Sequence, residues 1–308
     1  MFNLSRIPFV LFLTLLIFES CNKSEKSTAK LFRSPDEAAG ALIAAANSGD
    51  PNMAVAIFGP DSKEIISSGD PVEDRNVVNA FSAKYTAMHR FRRMEDGTEI
   101  LLVGADNFPF PVPLRKNAAG RWFFDTQAGK QEILARRIGR NELAIINTCR
   151  AVADAEAQYF SQLHDGDKAH QYATKLRSDP GKQNGLYWES PENQPKSPLG
   201  PLVAGATSEG YNANAGPRMA FHGYHFHLLE GQSDKAPGGA IDYLVDGKMT
   251  RGFALVAYPV TYGNSGVMTF IINQDGVLLE SDLGESTTQV ATAMTQFAPD
   301  SNWRAVEQ

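Results

Sequence analysis

The sequence predicts an α+β protein: an N-terminal helical lobe with a small antiparallel sheet, then a long helix packed on a C-terminal antiparallel sheet. Three observations predict it. Helical segments opened by a cap and a proline fill the stretch from Ser34 to Met88. One long helical pattern runs from Gln131 to Leu163. The final third alternates apolar and polar residues between Gly, Asn and Asp turns.

The elements follow in order. "SPDEAAGALIAAANSGD" opens with Ser34 as N-cap, Pro35 in the first turn and Glu37 completing a capping box, and Gly49 ends it. "PNMAVAIFG" is a second short helix, closed by Gly59 and Pro60. A third opens at Asp70-Pro71, with Val78, Phe81, Tyr85 and Met88 at helical spacing. "DGTEILLVG" then reads as a turn and strand, and "FPFPVPLRKNAAGRWFFDT" as two strands about a turn from Asn117 to Gly120. In the long helix, Gly139 is a place for a break or kink. Beyond it, "GYHFHLL", "AIDYLV", "GFALVAYPV", "GVMTFIIN" and "GVLLES" read as strands.

A chain of 308 residues buries about 75% of its unfolded surface, enough for one large domain or two modest ones. The expected division is a signal peptide over 1–20, a polar linker over 21–31, an N-terminal lobe over 32–128 and a C-terminal part over 129–308. A formal charge of −6 gives no basis for nucleic-acid binding. The arginine clusters "RFRR" (90–93) and "RRIGR" (136–140) are short and read as solvated faces.

At the N-terminus, Arg6 precedes an unbroken apolar run from Ile7 to Phe18, which is shorter than the roughly 20 residues of a spanning helix. With the polar tail "NKSEKSTAK" behind it, the run fits the apolar region of a secretory signal. Cys21, directly after "FES", resembles the acylated cysteine of a bacterial lipobox; Ser20 fits that pattern, Phe18 is tolerated where Leu is preferred, and Glu19 departs from it. A lipoprotein of the cell envelope is the expectation, exported and held on the inner or outer membrane through acyl chains on Cys21. A plain secreted protein and an uncleaved anchor are the alternatives. If Cys21 carries lipid, Cys149 is the only thiol left, and its place on the apolar stripe with Ile145 and Val152 predicts a buried side chain.

The blocks "SPDEAAGALIAAANSGD", "RWFFDTQAGKQEILARRIGRNEL", "SPLGPLVAGATSEGY", "FHGYHFHLL", "APGGAIDYLVDGKM" and "GFALVAYPVTYGNSGVMTFIINQDG" resemble, in this order, the uncharacterised bacterial family named domain of unknown function 2950. The resemblance covers nearly all of the chain after the signal and brings no activity or catalytic residue with it. A second similarity is to type IV pilin and pseudopilin-like globular domains. It rests on the helix "NELAIINTCRAVADAEAQYF", the turn "DGD", a Tyr-x-Phe-x-Leu strand and "FIINQDGV". Here the helix lies mid-chain and has no apolar N-terminal half, so the resemblance implies a soluble recognition module rather than a filament subunit.

"AFHGYHFHLLEG" places His222, His225 and His227 within six residues. Strand alternation puts Tyr224, Phe226 and Leu228 on the face toward the long helix, and His225 and His227 on the other, toward solvent; the direction of His222 is unreadable. No HExxH, CxxC pair or suitably spaced carboxylate accompanies them, so no metal ligand is expected. Asp165 and Asp167 in "HDGDK" read as a polar turn, "YGNSGV" around Ser265 as a tight turn, and Tyr187 and Trp188 as aromatic residues pinning a loop to the core. No catalytic residue and no cofactor is expected. The functional expectation is a lipid-anchored, non-enzymatic binding or assembly module of the envelope. Its partners are the membrane, through the lipid, and an envelope protein or wall polymer met by the loop 181–201 and the sheet turns. The rivals are an envelope hydrolase, metal-assisted or otherwise, on the strand from His222 to His227, and a small-ligand-binding protein with its cavity between the lobes.

Overall fold

In the computed structural model residues 29–191, 193, 196–212 and 220–307 are described. Helix α1 (Pro35–Ser48) is capped by the Ser34 hydroxyl, which accepts from the Glu37 amide at 3.1 Å, and it ends at Gly49, which takes the left-handed φ of 68°. The Glu37 carboxylate accepts from the Arg33 amide at 2.7 Å, one residue earlier than a capping box requires. Helix α2 (Pro51–Phe58) follows, then a one-turn helix α3 (Lys63–Ile66) and α4 (Pro71–Ala87), whose cap is Asp70. On α4, Phe81 and Tyr85 pack inward, whereas Val78 and Met88 are exposed, so only half of the expected stripe is core.

The small sheet comprises β1 (His89–Arg93), β2 (Glu99–Val103), β3 (Phe108–Pro109), β4 (Leu114–Lys116) and β5 (Trp122–Phe124), in the order β1-β2-β4-β5 with β3 on β2. Leu101, Val103, Leu114, Trp122 and Phe124 meet Ala38, Ala39, Leu42 and Ile57 in the first core. Phe32 bridges Trp122, which fastens the start of the described chain to the β5 edge. The cluster "RFRR" lies on β1, where Phe91 is half-buried and the arginines are exposed, a charged edge that discourages further strand pairing.

Helix α5 (Thr126–Phe160) is continuous through Gly139. The glycine is exposed with open space around it, so its helix-propensity cost of about 1 kcal/mol is offset by tertiary contacts on both sides. Before it, Gly129 presses on Val112 and Ile133 joins the first core. Close to it, Arg137 donates to the Glu64 and Ile65 carbonyls and to Asn264. Arg137 is therefore buried rather than on the solvated face expected for "RRIGR". After it, the Glu142 carboxylate accepts from the Val267 and Met268 amides, both at 2.9 Å. One helix thus belongs to both lobes.

After α6 (Gly200–Ser208) come β6 (Tyr224–Leu229), β7 (Gly231–Gln232), β8 (Ile241–Asp242), β9 (Leu244–Val245), β10 (Lys248–Met249), β11 (Ala254–Pro259), β12 (Met268–Asn273) and β13 (Leu278–Asp282). Helix α7 (Thr287–Ala293), β14 (Gln296–Phe297) and β15 (Arg304–Ala305) close the chain. The main sheet runs β15-β13-β12-β11-β6, all antiparallel. Its first face carries Tyr224, Leu255, Phe270 and Ile272 against Ile145, Cys149, Val152 and Tyr159 of α5. Its second face carries Leu229, Val256 and Ile271 beneath Tyr243, Phe253, Ala291 and Phe297. The expected helix-on-sheet arrangement is present, with a further layer behind the sheet. All three cores draw only on residues from Phe32 onward.

Candidate functional site

The histidine strand divides as its alternation predicts, but its second face is not open. Tyr224 is fully buried, and Phe226 and Leu228 pack toward α5. His225 and His227 are half-buried against Tyr258, with ring centroids 5.7 and 6.1 Å away, and His227 Nε2 lies 2.9 Å from the Met294 carbonyl oxygen. Burial holds the His225 imidazole below its ordinary pKa. The reason is tertiary: the segment from α7 to β14 covers a face that strand period alone leaves to solvent.

His222 stands apart from the other two. With Gly223 it forms a two-residue turn, φ 48° and 73°, closed by Phe221 and Tyr224 donating to one another's carbonyls at 3.0 and 3.1 Å. That backbone is the left-handed pair of a type I′ hairpin turn. The turn aims the imidazole at the other lobe. Nδ1 lies 3.7 Å from Glu73 Oε2, and Nε2 lies 3.2 Å from Glu209 Oε2. Arg140 of α5 donates to Glu73 Oε1 at 2.8 Å. The His222 imidazole, opposed by partial burial and helped by the Arg140 guanidinium, holds the Glu73 carboxyl below its ordinary pKa.

Beneath this pair, Asp70 is 1% exposed and joins three segments. Its Oδ1 accepts from the Val72 and Glu73 amides at 3.0 and 3.2 Å, which caps α4. Its Oδ2 accepts from the Tyr211 hydroxyl at 2.8 Å and the Gly223 amide at 3.1 Å. The Tyr211 oxygen in turn accepts from the His222 amide at 3.2 Å. Asn76 donates to the Glu209 carbonyl at 3.0 Å. A second string runs alongside, in which Asn264 donates to the Ser67 carbonyl at 3.2 Å and Asn141 to the Ser265 carbonyl at 2.9 Å. Both faces of the His222 ring edge meet carboxylates, and no hydroxyl or thiol among the described residues hydrogen-bonds to its nitrogens. The cluster is a polar seam between α4, α5, the end of α6 and the hairpin of β6.

The remaining sequence candidates sit apart from the seam. Cys149 is fully buried, and its surroundings push the thiol up to about 12. Asp165 accepts from the Gln183 amide at 2.8 Å, and Asp167 is held by Lys248 and Gln171. Ser265 is buried in its turn, its Oγ accepting from the Thr261 amide at 3.0 Å. Tyr187 and Trp188 pack on the α5 core, with Trp188 edge-on to His164 at 5.8 Å. Glu156 is a residue the sequence did not single out. It is fully buried on α5; Oε2 accepts from the Ala173 amide at 2.8 Å, Oε1 has no partner, and burial raises its pKa well above the ordinary value. Among the described residues no three His, Cys, Asp or Glu side chains are grouped to hold a metal ion, and no helix is long and apolar enough to cross a membrane. Cys21, the expected lipid-attachment residue, lies outside the described residues.

The model of the family described as "Protein of unknown function (DUF2950)" matches residues 29–306, and the chain belongs to that family. No curated protein and no solved structure matches the chain, and neither comparison bears on the similarity to pilin-like domains.

Proposed function

We propose that this protein is a lipid-anchored cell-envelope protein serving as a non-enzymatic binding or assembly module, tethered through Cys21. One observation carries the module reading. The titratable groups that converge, Asp70, Glu73, Arg140, Glu209 and His222, are engaged in joining the lobes, with no nucleophile among the described residues hydrogen-bonded to the imidazole. An enzyme site needs a nucleophile, a base and an orienting partner that leave room for a reacting atom. The anchor is supported by the order of Arg6, the apolar run from Ile7 to Phe18, Ser20 and Cys21. The surfaces offered to an envelope protein or wall polymer are the loop 181–201 and the turns of the sheet. Within that loop, Tyr187 and Trp188 are pinned to the α5 core.

Expression of Cys21→Ala in a bacterial host tests the anchor. The wild-type chain is expected in the membrane fraction with an acyl mass on the Cys21 peptide, and the variant outside it. Unchanged fractionation with no acyl mass would sink the reading. A hydrolase is the second reading, and the Glu73–His222–Glu209 line is what favours it. Loss of a measurable hydrolytic activity in His222→Ala, with the lobes still joined, would put that reading first.

A further inference from the structure

The place where the described chain begins is basic. Phe32 and Trp122 exchange backbone hydrogen bonds of 2.8 and 2.9 Å, and Lys116 stands opposite Trp122 in the β4–β5 register. This lateral line gathers cations at one sheet edge. Lys30 Nζ lies 5.6 Å from the Phe32 ring centre and Lys116 Nζ lies 4.9 Å from that of Trp122. Arg121 donates to the Phe32 carbonyl at 3.1 Å and the Leu31 carbonyl at 3.3 Å. All these acceptors are neutral. Among the described residues Lys30, Arg33, Lys116 and Arg121 have no carboxylate ion partner, so their charge remains open to an outside anion. Asp36 and Glu37 in the first turn of α1 are the acids closest in sequence to Arg33, with Glu37 engaged with the Arg33 amide, and Asp125, the acid closest to Arg121, is paired with Arg115. Leu31, next to Lys30 in the chain, is 41% exposed.

The tether supplies the second argument. Cys21 lies eight residues before Ala29. At about 3.5 Å per residue the connection spans at most about 28 Å. A lipid on Cys21 therefore keeps this edge within reach of the bilayer surface, where even a weak patch acts at high effective concentration. The tether itself adds Lys23 and Lys26 against Glu25.

We infer that the edge formed by Lys30, Arg33, Lys116 and Arg121, together with the exposed Leu31, rests on anionic lipid headgroups and sets how the protein lies on its membrane. This rests on the anchored reading above, because it is the tether that brings this edge to the membrane. Each basic side chain near an anionic bilayer contributes about fivefold to binding, and the contribution falls with salt.

The test separates the patch from the lipid. The chain from Ala29 to Gln308 holds all three cores and has no acylation site, so it is used unanchored. It is floated with phosphatidylcholine vesicles and with vesicles containing about one-third phosphatidylglycerol, at low and at high salt. Preferential flotation with the anionic vesicles is expected, weakened by salt. Lys30→Gln with Lys116→Gln, which spares the Arg121 contacts, should lower it roughly 25-fold, at about fivefold per charge. Arg90→Gln with Arg92→Gln removes the same charge from the far edge strand and should leave flotation nearly unchanged. No preference for anionic vesicles, an equal loss in the two double variants, or capture by isolated wall polymer in place of vesicles overturns the inference. Acylation is read independently from the mass of the Cys21 peptide, so a failed anchor and a failed patch leave different signatures.

Discussion

Replacing Asp70 by Ala removes the one side chain that ties α4, Tyr211 and the β6 hairpin together, and its cost follows from the groups it leaves behind. The Val72 and Glu73 amides lose their cap, worth about 1 kcal/mol. The Tyr211 hydroxyl and the Gly223 amide lose an acceptor where both residues are buried, at about 1–2 kcal/mol each. The expected loss is about 3–5 kcal/mol, read as a fall in the urea midpoint at unchanged slope. Tyr211→Phe removes the donor to Asp70 and the acceptor of the His222 amide and should cost about 1–3 kcal/mol. Because the two side chains share one bond, the double variant should fall short of the sum by about 1 kcal/mol or more. Amide exchange at Gly223 should accelerate in Asp70→Ala, since that amide donates directly to the carboxylate. A loss below about 1 kcal/mol for Asp70→Ala, or strict additivity with Tyr211→Phe, would refute the idea that the seam holds the lobes.

Three further outcomes are expected. The Cys149 thiol, fully buried and pushed up to about 12, should resist a thiol reagent at pH 8 in the native chain and react on unfolding; rapid native labelling would contradict its burial. Glu156 has a folded pKa above the unfolded value of 4.5, so the folded chain holds the proton longer. Its contribution is therefore fully present below that value and is lost as pH rises toward the folded pKa. Glu156→Gln should remove this slope and gain on the wild type at neutral pH, as urea titrations across pH would reveal. Gly223→Ala adds a Cβ 2.8 Å from Asn141 Nδ2 and 2.9 Å from Ser265 Cβ at φ 73°, whereas Gly120→Ala, at φ 74°, meets open space. The first should cost about 2–4 kcal/mol and the second about 1 kcal/mol, compared by their unfolding midpoints.

What could be read in the sequence was what a segment decides by itself. Ser34 and Asp70 announce α1 and α4 because a cap side chain bonds amides two and three residues on. Cys149 is placed by its spacing to Ile145 and Val152, and the inward set of β6 by its alternation. Where these local signals stop, tertiary contacts decide. Gly139 looks like a break until Arg137 and Glu142 are seen tied to α3 and to the start of β12. His225 and His227 look solvated until the residues after α7 are folded over Tyr258. Val78 and Met88 carry the right period and still face outward, since period states which residues share a face but not whether anything covers it.

The seam was unreadable for a related reason, and its construction bears on function. Asp70 meets Tyr211 and Gly223 across 141 and 153 residues, so no window of sequence holds both ends. Only the turn gave a local sign: a histidine followed by glycine, where a type I′ turn favours Asn-Gly or Asp-Gly. Histidine is tolerated in that left-handed conformation better than most side chains, and here it has a use that a shorter one lacks. Its two nitrogens face opposite ways, toward Glu73 of α4 and Glu209 beyond α6, while its backbone amide bonds Tyr211. The same turn thus pairs sheet strand, helix start and helix end. With α5 shared between the first two cores, the lobes have few ways to hinge about one another. That rigidity favours a body that presents fixed surfaces to a partner over one that opens and closes on a substrate. Under the proposal that the β5 edge rests on a membrane, the same rigidity sets the orientation of those surfaces.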